Sequence, residues 1–362
     1  MKKAYLLGYW QGNVGDDLFL KIICEKYPKT EFYISTSNEY RNYYKFNNLK
    51  VFVEDKGFLA NLNKIMNFFK LPNIFSVIPL LFSNIIEIGG SIFIEDDNWK
   101  KTLRRRSLYL KYSKTYNIIG CNFGPYKDNN FLSCYRDFFN EVDDVCFRDV
   151  YSYNLFKDNN KARYAPDIVF SLANKVDTSN TPTNEVIISI IDLMYETRNL
   201  KLKNSVEQYE LKIVEIIKDL LRDEKVPTLI SFCEHENDSK AIERILNRLD
   251  TESKKRIKVV MYNDINQILD IFSRAQRVIA TRYHAMILGI KFHNMISVLS
   301  YSKKIDRVIE DLKLDIPNIR IQNITENSLS DSLMYGTVSD KQINEISEES
   351  TLQFDYVDKI LE

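Results

Sequence analysis

Short apolar runs alternate along this chain with longer stretches whose apolar residues recur at helical spacing. The runs near 3–8, 32–35, 50–53, 85–88, 116–119 and 144–147 predict strands. The stretches 16–27, 101–114, 131–141 and 150–157 between them predict helices. Asp167-Ile168-Val169-Phe170 reads as a strand that closes the first half. A polar stretch from Asn174 to Asn184 has no apolar period and carries a proline, so it reads as a linker. The pattern then restarts with a strand at 186–190. A helix over about 204–222 follows, with Val206, Tyr209, Ile213, Ile216, Ile217 and Leu220 on one face. Strand and helix pairs continue at 227–232 and 238–249, 257–260 and 264–274, 277–280 and 283–290, and 294–298 and 302–312. Such alternation predicts α/β architecture with parallel sheets.

At 362 residues the chain exceeds one ordinary core, so two domains are expected. The predicted boundaries are an N-terminal Rossmann-like domain over 1–173, a C-terminal one over 185–335, and a tail with a final helix over 336–362. Two such α/β domains facing across a cleft, with the carboxyl edges of their sheets lining it, form a fold of glycosyltransferase-B type.

Lys+Arg and Asp+Glu both number 50, and this balance argues against a general nucleic-acid binder. The five cysteines are scattered and lack C-x-x-C spacing, which predicts a reduced, cytoplasmic protein without a zinc site. The chain opens directly on a strand pattern, with no signal-peptide pattern. No run reaches transmembrane length. The segment 58–83 comes nearest; it is rich in Phe, Leu and Ile, is interrupted by Pro72 and Pro79, and carries Lys64 and Lys70. It reads either as a helix pair packed on the N-terminal sheet or as an element lying on a membrane. The basic cluster Lys100, Lys101 and Arg104-Arg105-Arg106 is what anionic lipid would attract to the inner face of a membrane.

The chemistry concentrates where strands hand over to helices, the carboxyl edge at which ligands bind in α/β proteins. Thr281-Arg282-Tyr283-His284-Ala285 follows the apolar run Val278-Ile279-Ala280 and opens a helix. It places a cation and one of only three histidines at a natural anion site. Gly12-Asn13-Val14-Gly15-Asp16 fills the first such turn but lacks both the G-x-G-x-x-G pattern and a P-loop lysine. Asn13 and Asp16 suit hydroxyls, and Gly15 allows close backbone approach. Gly89-Gly90-Ser91 and Asn122-Phe123-Gly124 end the fourth and fifth strands, so three glycine-bearing loops share one sheet edge as a ligand floor. Arg148 opens a helix with the planar fork that suits phosphate or carboxylate. Asp167 places a carboxylate near the domain hinge, and Ser300 with Lys303 forms another strand-end loop suited to an anion. His235-Glu236 lacks the second histidine of a zinc protease, so no metal is expected. His293 reads as structural.

In this order, Gly12-Asn13-Val14-Gly15-Asp16, Gly89-Gly90-Ser91, Gly124-Pro125, Arg148-Asp149 with Ser152, Pro166-Asp167, Arg282-Tyr283-His284-Ala285 and Tyr301-Ser302-Lys303 resemble the polysaccharide pyruvyl transferase family. Tyr283 departs from it, since leucine is commoner there. The resemblance implies an enzyme that takes phosphoenolpyruvate as donor, with no further cofactor. It would form a cyclic ketal on two hydroxyls of a cell-surface polysaccharide or its lipid-linked precursor. The site residues would then be His284, Arg148 and Arg282, with Asn13, Gly15, Asp16, Gly89, Gly90, Ser91, Asn122, Gly124, Asp167, Ser300 and Lys303 around the substrates. His284 suits a general acid or base, or a phosphate ligand. Two other readings stand beside this one. One is a nucleotide-sugar-dependent glycosyltransferase of the same fold; the other is a non-catalytic glycan-binding protein.

Overall fold

Strands such as Asn84–Ile88 (NIIEI) and Glu185–Ile190 (EVIISI) are apolar on both faces, and nearly all of their residues are buried. A strand covered on both sides belongs in a parallel sheet flanked by helices, and both sheets are of that kind. The computed structural model describes residues 2–173, 183–196, 198, 200–324 and 334–362. The first sheet contains β1 (Lys2–Leu7), β2 (Thr30–Thr36), β3 (Leu49–Val53), β4 (Asn84–Ile88), β5 (Thr115–Cys121), β6 (Asp144–Phe147) and β7 (Ala162–Tyr164). Its order is β3-β2-β1-β4-β5-β6-β7, all parallel. The second contains β8 (Glu185–Ile190), β9 (Val226–Ser231), β10 (Lys258–Met261), β11 (Arg277–Ala280), β12 (Met295–Ser300) and β13 (Asn318–Arg320). Its order is β10-β9-β8-β11-β12-β13, again parallel. In each sheet the strand order reverses beside the first strand, between β1 and β4 and between β8 and β11. Those reversals are the switch points where α/β sheets take ligands.

The chain divides into two compact units that are discontinuous in sequence. One holds 1–11, 16–172 and 347–362; the other holds 12–15 and 173–346. The division therefore differs from the sequence boundaries at two places: four residues of the first turn belong to the second unit, and the end of the tail belongs to the first. That end is the last turn of helix Asp340–Thr351, a single 3-10 turn Leu352–Phe354 and helix Asp355–Leu361, where the sequence pattern suggested a loop and one helix. Residues 174–182 of the expected linker lie outside the described residues.

Asp167-Ile168-Val169-Phe170 is not a strand. Asp167 accepts a hydrogen bond from the Val169 amide at 2.9 Å and caps the 3-10 turn Ile168–Ser171. A short side chain that bonds the backbone two residues on competes with extended structure. The edge strands β7 and β13 are three residues each, too short to announce themselves by period.

The first unit's core is aromatic. Phe93, Phe123, Phe131, Tyr135, Phe139, Phe147 and Phe156 pack mostly edge to face at centroid distances such as 4.8 Å for Phe123–Phe156. Much of the chain's aromatic content is therefore core. Arg106 is part of that core as well. It pairs with buried Glu87 at 2.6 Å and lies 4.4 Å over the Phe93 ring, so it drops out of the surface cluster expected from the sequence. Among the described residues no helix is long and apolar enough to cross a membrane.

Candidate active site

In the first unit the loops after β4, β5 and β6 meet. Arg148 is buried and donates from Nη1 to Asp167 Oδ2 at 2.8 Å and from Nη2 to Asn122 Oδ1 at 2.8 Å. Ser91 donates to the same Asn122 oxygen at 3.1 Å, and the Asn122 amide donates to the Gly90 carbonyl at 2.8 Å. The guanidinium covers the Gly90 Cα so closely that any Cβ there would collide with it. Asp16 Oδ1 lies 3.7 Å from where a Cβ on Gly89 would stand. Asp149 caps the helix Val150–Phe156 by accepting from Ser152 at its amide (2.8 Å) and hydroxyl (2.9 Å). Ser152 Oγ accepts in turn from the Phe123 amide at 2.7 Å. Arg148 is thus a neutralised, positioned guanidinium rather than a bare cation. It holds three strand-end loops at fixed distances.

A residue the sequence pattern did not single out finishes this frame. Gln353 is fully buried; its Nε2 donates to the carbonyls of Ala165 (2.7 Å) and Pro166 (3.2 Å), and its Oε1 accepts from the Gly120 amide at 2.9 Å. It fixes the backbone next to Asp167 from a segment that reads in sequence as a charged tail. Gly124 lies further along its loop, where its amide donates to Phe93 O at 2.8 Å, and it does not join the Arg148 cluster.

In the second unit the switch point carries Arg282. The Thr281 and Arg282 amides donate to Ser189 Oγ at 2.8 and 3.2 Å, which locks the end of β11 against β8. The Arg282 guanidinium donates to Asp238 through Nε (3.0 Å) and Nη2, and to Glu236 Oε2 through Nη1 (2.6 Å). Arg198 donates to the same Glu236 oxygen. Asp238 also accepts from the Phe232 (3.1 Å), Cys233 (3.0 Å) and Asp192 (3.3 Å) amides. Burial alone would raise the Glu236 carboxyl, but Arg282 and Arg198 hold it down at about 2. Burial pushes Asp238 the other way, up to about 6, with Arg282 opposing.

Above this network, Tyr301 stacks under Arg198 (5.2 Å) and near Lys304 (5.9 Å). Burial would raise its phenol, yet Lys304, Arg198 and Arg282 together bring it below its ordinary value. Lys304 also lies 5.8 Å from the Tyr283 ring, and that ring stands edge-on to His284 at 4.9 Å. His284 is half-buried in the first turn of the helix Tyr283–Lys291, with its imidazole directly against Gly15. A Cβ on Gly15 would overlap the ring. Asn13 Oδ1 accepts from the Gly15 amide at 2.9 Å and so holds that glycine in place. The hydroxyls of Ser300 and Ser302, at the end of β12 and the start of helix Lys303–Asp311, are buried without a hydrogen-bond partner.

The residues expected from the sequence therefore fall into two sets, one in each unit. Asp16, Gly89, Gly90, Ser91, Asn122, Arg148 and Asp167 belong to the first; Asn13, Gly15, Arg282, His284 and Ser300 to the second. Lys303 is exposed, and Lys304 is the lysine over the rings. Asp238, Glu236 and Arg198 are additions. The sequence shows Glu236 and Asp238 as acids after β9 but carries no signal that pairs them with Arg282 and Arg198. His293 pairs with Asp340 at 2.8 Å on the surface.

Two parallel Rossmann-like sheets with ligand-type loops at their switch points define an α/β protein of glycosyltransferase-B type. Solved structures share this architecture. UDP-GlcNAc 2-epimerase from Neisseria meningitidis bound to UDP-GlcNAc has a TM-score of 0.58 at 10% identity, covering 99% of this chain and 100% of its own. Anabaena Alr3699/HepE in complex with UDP and glucose has a TM-score of 0.55 at 10% identity, covering 100% and 99%. UDP-GlcNAc 2-epimerase from Methanocaldococcus jannaschii has a TM-score of 0.50 at 13% identity, covering 97% and 100%. At these identities the likeness is one of fold. No curated protein sequence matches the chain. The pattern of the polysaccharide pyruvyl transferase family, however, matches residues 13–293, and the chain belongs to that family. The matched span contains every side chain of the two clusters except those of Ser300 to Lys304 and Gln353.

Proposed function

We propose that this protein transfers pyruvate from phosphoenolpyruvate onto two hydroxyls of one sugar, in a cell-surface polysaccharide or its lipid-linked precursor. The observation that carries the donor assignment is the pair of buried, unpartnered hydroxyls of Ser300 and Ser302 at a helix N-terminus, beside Lys304, Arg198 and Tyr301. A buried polar atom without a partner needs an explanation such as a bound water or ligand, and helix N-termini favour anions. Asp238 and Glu236 neutralise two of the three cations Arg282, Arg198 and Lys304, leaving one positive charge in excess. A protonated His284 would add another, matching the phosphate and carboxylate of the donor.

The chemistry balances without a further reagent. A proton adds to the methylene carbon of phosphoenolpyruvate, and the adjacent carbon becomes oxocarbenium-like. One sugar hydroxyl attacks that carbon, the bond from carbon to the phosphate oxygen breaks, and the second hydroxyl closes the ketal. The two hydroxyl protons balance the new methyl group and the departing phosphate. His284 is the acid or base for the first proton, or a phosphate ligand, and Arg282 supports it through the network. Arg148 shapes the acceptor loops with Asn122, Asp167, Gly89, Gly90 and Ser91. No metal or cofactor enters this scheme, and the activity belongs in the cytoplasm.

The test is a thermal-shift titration with phosphoenolpyruvate beside UDP, GDP and CMP. Stabilisation by phosphoenolpyruvate alone is expected, lost in the Ser300→Ala/Ser302→Ala variant. His284→Ala should cut turnover at least ~100-fold, as for loss of a general acid–base group. A second reading, a nucleotide-sugar glycosyltransferase, is favoured by structural neighbours that bind UDP or UDP-GlcNAc. Stabilisation by a nucleotide and not by phosphoenolpyruvate would establish it in place of the first.

A further inference from the structure

The segment after β3 breaks the usual rule for a surface helix. In helix Phe58–Phe68 and the turn that follows, the apolar stripe points to solvent. Phe58 is 80%, Ile65 56%, Phe68 82%, Phe69 66% and Leu71 53% exposed, and Leu81, at the end of the later 3-10 turn Ile78–Leu81, is 80% exposed. Phe58, Phe68 and Leu81 are the three most exposed large apolar side chains among the described residues. Single exposed apolar residues mean little, but a contiguous set marks an interaction surface.

The element is firmly seated. Phe75 and Ile78 pack on Tyr5 of β1, the Asn63 side chain accepts from the Ile74 amide at 2.9 Å, and Tyr109 donates to Ser76 O at 3.0 Å. The chain after the helix is turned back by Lys70 in a left-handed conformation (φ 58°), with the Leu71 amide donating to Met66 O at 2.9 Å. Thus one side of the hairpin is core and the other is apolar and outward.

Charge identifies the occupant. The chain as a whole is neutral, yet residues 56–86 and 99–114 contain no carboxylate at all. They carry nine exposed cations, among them Lys64, Lys70, Arg104 and Arg105; Arg106 is excluded by its ion pair with Glu87. Helix Trp99–Tyr112, which bears five of these cations, packs beside the hairpin through Tyr109. An apolar face with a basic surround matches an anionic bilayer surface, where Phe and Leu enter the acyl boundary and Lys and Arg meet the headgroups. A second copy of this chain docking on the same face would bring the cations together.

We infer that residues 58–81, with the neighbouring basic helix, dock the protein onto an anionic membrane surface. This is independent of the pyruvyl-transfer reading, because it needs neither donor nor acceptor. Its test is sedimentation of the whole protein with vesicles of phosphatidylcholine containing about one-third phosphatidylglycerol, beside pure phosphatidylcholine. Wild type should pellet with the anionic vesicles at low salt and be released by high salt. Phe58→Ser/Phe68→Ser and Arg104→Glu/Arg105→Glu should each weaken binding by about tenfold or more, as expected for losing two anchors. The side chains replaced are exposed, so circular dichroism should be unchanged. Wild type left in the supernatant, or a serine variant that pellets as well as wild type, would overturn the assignment. So would dimerisation that depends on Phe58 and Phe68 without vesicle binding.

Discussion

At the scale of single residues, the second unit's cluster depends on an atom that is missing. Gly15 has no side chain, and the His284 imidazole occupies that space. Its backbone is not in the left-handed region, so alanine would meet a steric conflict and no conformational one. Gly15→Ala is therefore expected to displace His284 and cut kcat by about 10–100-fold, as a misplacement of one ångström does. A melting temperature close to wild type should accompany the loss, and unchanged kcat would contradict the packing argument. Glu236 makes the opposite kind of contribution. Its carboxyl sits lower when folded, at about 2, than the ordinary 4.5. The resulting stability, about 3 kcal/mol, is fully present above the unfolded value and is lost as pH falls through the folded one. Denaturant titrations of Glu236→Gln should show that deficit at pH 7 and should converge with wild type as pH approaches 2. A deficit independent of pH would show that the ion pair is not its source. Arg282 and His284 were legible because a cation and an imidazole follow an apolar run of strand length. Asp238, Glu236 and Arg198 were not, because only the fold brings residues 198, 236 and 282 onto one another.

At the scale of elements, eleven of the thirteen strands among the described residues could be placed from apolar runs, since parallel strands buried on both faces write themselves as such runs. The two misses, β7 and β13, are three-residue edges, and the false strand at 167–170 was decided by one capping carboxylate. Of the C-terminal helices, the final one was legible and Asp340–Thr351 was not. Their charged surface shows in the sequence, while the residue that matters, Gln353, is polar and buried. Its amide donates and accepts at once, so glutamate cannot replace it. Gln353→Glu and Gln353→Ala should each destabilise by about 2–4 kcal/mol, the cost of orphaned buried backbone groups plus a small void. Amide exchange at Gly120 should accelerate in both. If Gln353→Glu matched wild type, packing alone would explain the residue.

At the scale of the whole molecule, the two sheets repeat one strand order, and each unit offers its switch point as a ligand edge. Membership of the polysaccharide pyruvyl transferase family covers the span in which both edges lie. The order of short loop motifs made this membership legible, although no single motif would have sufficed. The assignment of residues to units was hidden, since nothing local in Gly12–Gly15 or in 347–362 says which sheet they join. That assignment bears on how the protein is made. A chain leaving the ribosome completes β1 to β7 early, but the Gln353 amide and the Val357 and Leu361 side chains of the first unit arrive more than 180 residues later. Domains usually fold in order of synthesis. Here the earlier-made unit waits, with its Gly120 and Ala165 backbone uncapped, until the later one has been translated in full.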